Sequence, residues 1–285
     1  MRLVALVAVA SLIGLAACDH KTPAAPSQPA ITVNGLAISG PDALLTGLAA
    51  SYTVTATLSD GSTATVTPVW TSNNPTVASV DSGGRLEGRS HGSTSVSAAY
   101  EGRSASKIVQ VVNNYGGVWK GTSVARACTD SGELTNFDGG WCRSGWARVG
   151  NVIQAPDMTL VQTGANLSEI TGTFSYFEEP IKGVVTPDGR LTLSGTFTDR
   201  DWWDDPAVIF DALQITAWDS NLSAPGVMAG RWSEHLVSLY PRRGEGDVDF
   251  EIITLTRMAT TPAASPAVVR RNHRGTRSIA PMIAP

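Results

Sequence analysis

Residues 187–197 read Pro187-Asp188-Gly189-Arg190-Leu191-Thr192-Leu193-Ser194-Gly195-Thr196-Phe197. The first four make a hairpin turn, because Pro presets φ and Gly accepts positive φ without steric penalty. Beyond the turn the chain alternates. Leu191, Leu193, Gly195 and Phe197 fall on one side, and Thr192, Ser194 and Thr196 fall on the other. A period of two with one apolar face is a half-buried strand. The same signal recurs around it, at 118–126, 158–162, 167–177, 181–185, 208–217, 227–236 and 248–255. With 191–197 these make eight strands, many on short links. They predict a closed antiparallel up-and-down β-barrel over residues 115–258, since closure removes exposed strand edges.

Upstream, residues 31–112 are also all strand and turn. Tyr52, Val54, Ala56 and Leu58 alternate with Thr53, Thr55 and Thr57 before the Asp60-Gly61 turn. Val96, Ala98 and Tyr100 alternate with Ser95, Ser97 and Ala99 before Glu101-Gly102, and Ile108 to Val112 closes the stretch. Short strands every 8–12 residues or so predict an antiparallel β-sandwich. Trp70 is the one Trp of this half and is expected to plug its core. Asn113-Asn114-Tyr115-Gly116-Gly117 is a turn-rich junction, and His91 reads as a solvated loop residue. The fold class expected is therefore all-β, a sandwich followed by a barrel.

Five ordered pieces of the first half resemble a known family, the group 2 bacterial Ig-like domain of invasin- and intimin-type adhesins. They are residues 58–63 (LSDGST), 70–75 (WTSNNP), 77–81 (VASVD), 84–88 (GRLEG) and 92–98 (GSTSVSA). The resemblance implies a two-sheet Ig-like sandwich serving as a spacer or adhesion module without catalysis. In the second half, Gly117-Val118-Trp119-Lys120-Gly121 is similar to the Gly-x-Trp signature of lipocalins and their relatives. That resemblance implies a barrel whose Trp119 closes one end beneath an Arg from the last strand, and Arg257 is the expected partner. A cation–π contact of roughly 1 kcal/mol would follow.

The N-terminus bears on location. Arg2 precedes an apolar run, Leu3 to Ala17, broken only by Ser11 and Gly14. A charged start and a short apolar stretch make a secretory signal over residues 1–17, too short for a spanning helix of about 20 residues. Leu15-Ala16-Ala17-Cys18 resembles a bacterial lipobox. That implies cleavage before Cys18 and a lipid anchor there, at about 0.8 kcal/mol per buried methylene. Residues 18–30, with three Pro after the Cys, read as the lipidated residue and a flexible tether. The expected location is the bacterial cell envelope, at the outer membrane, in the periplasm or on the cell surface. Residues 259–285 lose all pattern and carry four Arg and no acid, a disordered basic tail.

Cysteine usage agrees with export. With Cys18 lipidated, Cys128 and Cys142 remain as a pair. A disulfide between them would contribute roughly 3 kcal/mol and make the segment a stapled surface loop; two free buried thiols are the alternative.

Charge excludes one class of partner. Lys+Arg number 21 against 25 Asp+Glu, a net charge of −4. Nucleic-acid capture needs a concentrated basic field, which the chain lacks. Candidate chemistry is sparse. Asp199, Asp201, Trp202, Trp203, Asp204 and Asp205 form an acidic loop around two indoles, which could stack on a sugar or hold Ca²⁺, or simply be solvated. Glu178-Glu179 and the Asp247/Asp249 pair could serve glycoside hydrolysis, but charge on a solvated strand face is commoner. His235 beside Glu234 lacks a nucleophile elbow. No cofactor and no catalysis are expected. The role expected is a lipid-anchored binding or adhesion protein, with the sandwich as spacer and the barrel as head. A carrier of a small apolar ligand is the alternative, and a carbohydrate-active hydrolase a third. Partners would be the membrane, a glycan, a surface protein or that ligand.

Overall fold

The computed structural model describes residues 30–143, 147–163, 166–174, 180–197, 209–240 and 243–259. Cys18, Glu178, Glu179, the acidic Trp loop at 199–205 and the basic tail from 260 onward lie outside them.

The fold is all-β. The first half contains β1 (Val33–Ser39), β2 (Ala43–Leu45), β3 (Ala49–Ser51), β4 (Thr53–Leu58) and β5 (Thr63–Val66). It continues with β6 (Val69–Ser72), β7 (Ala78–Val80), β8 (Arg85–Gly88), β9 (Gly92–Tyr100) and β10 (Arg103–Val112). They form three small sheets, β1-β4-β5, β2-β10-β9-β6 and β3-β8-β7. All three contribute to one core containing Leu44, Tyr52, Ala78, Leu86, Val96, Val109 and Val111. The pairing differs from an all-antiparallel sandwich at one place, where β2 runs parallel to β10. The left-handed turn at Gly47 (φ 80°) then carries the chain from the β10 edge to the β8 edge, so one sheet-switching segment serves two sheets.

Trp70 does not plug this core. It is half-buried at the core margin because β6 is an edge strand with β9 on one side alone. Tyr52 occupies the centre instead and donates its hydroxyl to the Pro41 carbonyl at 2.6 Å. Burial, with help from the nearby Asp42 carboxylate, pushes its phenol up to about 12.

The second half is a closed barrel of eight strands in sequence order. They are β11 (Gly117–Asp130), β12 (Val152–Val161), β13 (Glu169–Phe174), β14 (Pro180–Val185), β15 (Leu191–Phe197), β16 (Ile209–Ala224), β17 (Val227–Tyr240) and β18 (Gly244–Arg257). Every neighbouring pair is antiparallel, and β18 closes on β11 through a register running from Trp119↔Arg257 to Asp130↔Gly246. Alternation decides which residues face inward. On β18, Gly246, Val248, Phe250 and Ile252 are buried while Glu245, Asp247 and Asp249 are exposed. β16 continues well past the expected Ala217, through the polar Asp219-Ser220-Asn221, because register shifts let it follow β17 to the Pro225-Gly226 turn.

The two halves are joined rather than strung on a free linker. The hairpin turn between β14 and β15 seats against the first half. Gly189 there has φ 82°, and its carbonyl accepts hydrogen bonds from Asn113 Nδ2 and from the Tyr115 hydroxyl, both at 2.8 Å. A Cβ at Gly189 would stand 2.9 Å from Asn113 Nδ2 and 3.0 Å from the His91 ring, so glycine is needed for both conformation and contact. His91 is therefore not a solvated loop residue. Its Nε2 meets the Pro187 carbonyl at 3.0 Å, and its Nδ1 is buried without a hydrogen-bond partner. Leu45 and Val112 of the first half belong to the same apolar cluster as the barrel interior.

Candidate functional site

The barrel has two ends of different character. One faces the first half and is closed by Tyr115, Trp119, Gln162 and Arg257. Trp119 is fully buried and donates its indole N–H to the Tyr115 carbonyl at 2.7 Å. Tyr115 N–H donates to Gln162 Oε1 at 2.8 Å, and Gln162 Nε2 donates to the carbonyls of Asn113 and Leu167. Arg257 lies over the Trp119 ring, its Cζ 5.1 Å from the centroid, and one guanidinium nitrogen donates to the Asn114 carbonyl. Burial lowers the Arg257 pKa and pushes the Tyr115 phenol up to about 12. This end is a seal. Most of its polar groups are spent on backbone carbonyls of the junction and of Leu167, while Arg257 Nε is buried with no hydrogen-bond partner among the described residues.

Above the seal lies an aromatic stack. Trp232 stacks on Phe250 with centroids 4.2 Å apart and on Trp218 at 5.9 Å, and Phe174 meets Trp218 at 6.3 Å. Each indole N–H has a buried hydroxyl: Trp232 donates to Ser123 Oγ at 3.0 Å and Trp218 to Ser220 Oγ at 2.9 Å. The lower half of the barrel is thus occupied by large rings with their polar tips satisfied, as buried Trp requires.

The opposite end is the mouth, where the connection between β11 and β12 arrives. Cys128 and Cys142 are disulfide-bonded, with Cα atoms 5.6 Å apart. The segment they staple is not a surface loop. Two short 3-10 turns, Gly132–Gly139 and Trp141–Arg143, carry Leu134 and Trp141 into the barrel core cluster. The Trp141 ring rests on the inward face of Gly246, where any side-chain carbon would collide with it, and Leu134 sits on Gly244 in the same way. Asp130 Oδ2 accepts from the Cys142 N–H at 3.0 Å and helps hold the turn.

Between stack and plug, Glu234 points inward from β17. Its cross-strand partners are Ile215 and Val248, and Trp232 and Leu236 precede and follow it on the same face. It is 5% exposed, and among the described residues no hydrogen bond or ion pair reaches its carboxyl. Desolvation alone raises its pKa from 4.5 to about 8. In the sequence Glu234 stands out less than its neighbour His235. The signal was nevertheless present, because Trp232, Glu234 and Leu236 share one strand face.

The outer wall holds the other candidates. His235 Nδ1 meets Asp247 Oδ1 at 2.8 Å, and Ser233 donates to Asp249 Oδ1 at 2.6 Å. These are two parallel pairs rather than a relay, with the hydroxyl bonded to a carboxylate instead of to the imidazole. A depression of about 400 Å³ between β16, β17 and β18 contains Asp219 and Glu251. Each of these carboxylates is paired with an arginine, Asp219 with Arg190 at 2.5 Å and Glu251 with Arg126 at 2.7 Å. Among the described residues no cluster of three His, Cys, Asp or Glu could hold a metal ion.

No family model matches this chain. No curated protein matches it either. Among solved structures it is similar to domains 5–6 of the S-layer protein SbsC, at 14% identity and a TM-score of 0.27, over 77% of this chain and 98% of that one. It is also similar to domains 4–9 of the surface layer protein SbsC, at 13% identity and a TM-score of 0.27. That match covers 78% of this chain, which spans 31% of the other's length.

Proposed function

We propose that the chain is a non-catalytic lipoprotein of the bacterial cell envelope, anchored through Cys18, in which residues 31–112 act as a spacer and residues 115–258 as a binding or adhesion head. The observation that carries this reading is the docking of the barrel onto the sandwich half, where His91 meets the Pro187 carbonyl of the Gly189 turn and Leu45 and Val112 join the barrel's apolar cluster. A spacer presents a head usefully only when the two move together. The Ig-like resemblance of the first half supports the spacer role, and the lipobox supports the anchor.

The barrel is apolar inside, and its outer wall carries the ion pairs Lys120–Asp157, Arg126–Glu251 and Arg190–Asp219 and the His235–Asp247 contact. A lipid-spanning barrel has the reverse polarity, with an apolar outer band. This favours a head standing in water over one embedded in the bilayer. Among the described residues no helix is long and apolar enough to cross a membrane. The aromatic stack in the lower half favours a head over a carrier of a bulky apolar ligand, which would need an interior cavity of roughly 300 Å³ or more.

The test is expression in a bacterial host with labelled palmitate, followed by membrane fractionation. Label on the intact chain, lost together with membrane association in Cys18→Ser, is the expected result. An unlabelled, freely soluble product with an unmodified thiol at position 18 overturns the reading.

A further inference from the structure

On the outer wall of the barrel the ladder between β17 and β18 opens. Met228 pairs with Leu255 and the next pair is Arg231 with Glu251, so two residues of β17 span three of β18. At the same place β17 lies tight against β16, where a Cβ on Gly230 would stand 2.2 Å from the Asp219 carbonyl oxygen. The strand holds to one neighbour and parts from the other, and a bulge of this kind re-aims the side chains beside it. The depression of about 400 Å³ lies here, within the roughly 300–1,000 Å³ of small-ligand clefts.

Its lining has two parts. Ala229, Gly230 and the buried Ile252 are apolar, while Arg190, Arg231, Asp219 and Glu251 are charged. Asp219, Arg231 and Glu251 are direct cross-strand neighbours in one row. Asp219 is bonded by Arg190 at one end of that row, and Glu251 by Arg126 at the other. The Arg231 side chain, in the middle, makes no hydrogen bond or ion pair among the described residues. Three guanidiniums against two carboxylates leave one cation over, and Arg231 is that cation.

These groups define what fits. A divalent metal ion would meet carboxylates already held by arginines and a spare positive charge beside them. A bare phosphate would face Asp219 and Glu251. A pyranose bearing one carboxylate suits every part. Its anion pairs bidentately with Arg231, its hydroxyls donate to the remaining lone pairs of Asp219 and Glu251, and its C–H face lies on Ile252 and Ala229. We infer that the depression is a subsite for a single acidic sugar residue, with Arg231 as the anchor of its carboxylate. The inference rests on the barrel being a binding head and names what that head binds.

The experiment is a ligand-observed NMR titration of the full chain with methyl glucuronide, alongside the neutral methyl glucoside and inorganic phosphate. Each is repeated with Arg231→Gln, with Arg231→Lys and with the charge-matched Lys182→Gln, whose side chain is exposed on β14 and does not line the depression. The expected result is saturable glucuronide binding at millimolar concentration, weakened at least about tenfold in Arg231→Gln. Arg231→Lys, which keeps the charge without the planar fork, should fall between, and Lys182→Gln should bind as the parent does. Arg231 is exposed, and a thermal melt confirms that its variants fold. Absence of glucuronide binding overturns the proposal. So does equal binding of methyl glucoside or of phosphate, or equal weakening in Lys182→Gln. The palmitate label on Cys18 is a separate readout. Labelled protein that ignores glucuronide defeats this inference alone, and unlabelled protein that binds it defeats the anchor alone.

Discussion

Arg257 and Trp119 are direct cross-strand partners at the point where β18 closes on β11, and the guanidinium carbon stands 5.1 Å above the indole centroid. The first and last strands of the barrel are thus fastened by two side chains nearly 140 residues apart. The contact belongs to closure, since it exists when the sheet has wrapped fully round. Gly117 allows it, because a Cβ there would crowd the Arg257 side chain at 3.1 Å.

Truncating the aromatic partner should cost more than altering the cation. Trp119→Ala removes a fully buried indole and should lower unfolding free energy by about 3–5 kcal/mol. Arg257→Lys keeps the charge but loses the planar fork over the ring and the bond to Asn114, and about 1 kcal/mol is expected. Urea unfolding followed by tryptophan fluorescence measures both, and equal losses would contradict this assignment.

The plug depends on two covalent facts, the disulfide and the absence of a side chain at 246. Replacing Cys128 and Cys142 with Ser should destabilise the chain by roughly 3 kcal/mol, mainly by freeing the unfolded ensemble. Gly246→Ala leaves the disulfide intact yet puts a carbon where the Trp141 ring lies. Acrylamide quenching should show one tryptophan newly exposed in Gly246→Ala. An unchanged quenching profile would mean that Trp141 does not occupy the mouth.

Glu234 makes stability depend on pH in a defined direction. Its folded pKa of about 8 lies above the ordinary 4.5, so the folded chain holds the proton more tightly than the unfolded one. Its contribution is fully present below about pH 4.5, declines as the pH rises, and is lost once the pH passes about 8. Within that window the slope approaches about 1.4 kcal/mol per pH unit. The melting temperature of Glu234→Gln should match the parent at about pH 4 and exceed it at about pH 8.5. A constant difference at both values would show that the carboxyl is not the titrating group.

Docking of the two halves turns on Gly189. An alanine there meets an unfavourable φ of 82° and collides with Asn113 and His91. Gly189→Ala should loosen the junction while leaving the Trp119–Arg257 seal in place. Limited proteolysis would then cut at residues 113–117 several-fold faster than in the parent, and small-angle scattering would report a longer maximum dimension. Unaltered cleavage and dimensions would show that the turn is not what holds the halves together.

Much of the barrel was legible because side-chain period is a local property. Leu191, Leu193 and the turn at Pro187-Asp188-Gly189 announce their strand without reference to anything distant, and eight such signals in a row imply closure. Trp119 and Arg257 were legible through the Gly-x-Trp resemblance rather than through spacing. The candidate site was read less well. The chemistry-bearing residues that stand out in sequence are His235 and the Asp247/Asp249 pair, which the strand period sends outward, and the loop at 199–205, which lies outside the described residues. Trp141 looked like part of a surface loop because nothing near it alternates. Its burial is set by Gly246, about a hundred residues later in the chain.

The sequence by itself determined that this chain is all-β, where most of its strands begin and turn, and which of its residues share a strand face. Those follow from backbone sterics and a two-residue period, which act over a few residues. Tertiary structure alone decided that Trp141 enters the mouth, that Glu234 has no partner among the described residues, and that the Gly189 turn seats on Asn113 and Tyr115. Each depends on which strand ends meet when the barrel closes, and that register is fixed by the packing of the whole interior rather than by any one segment.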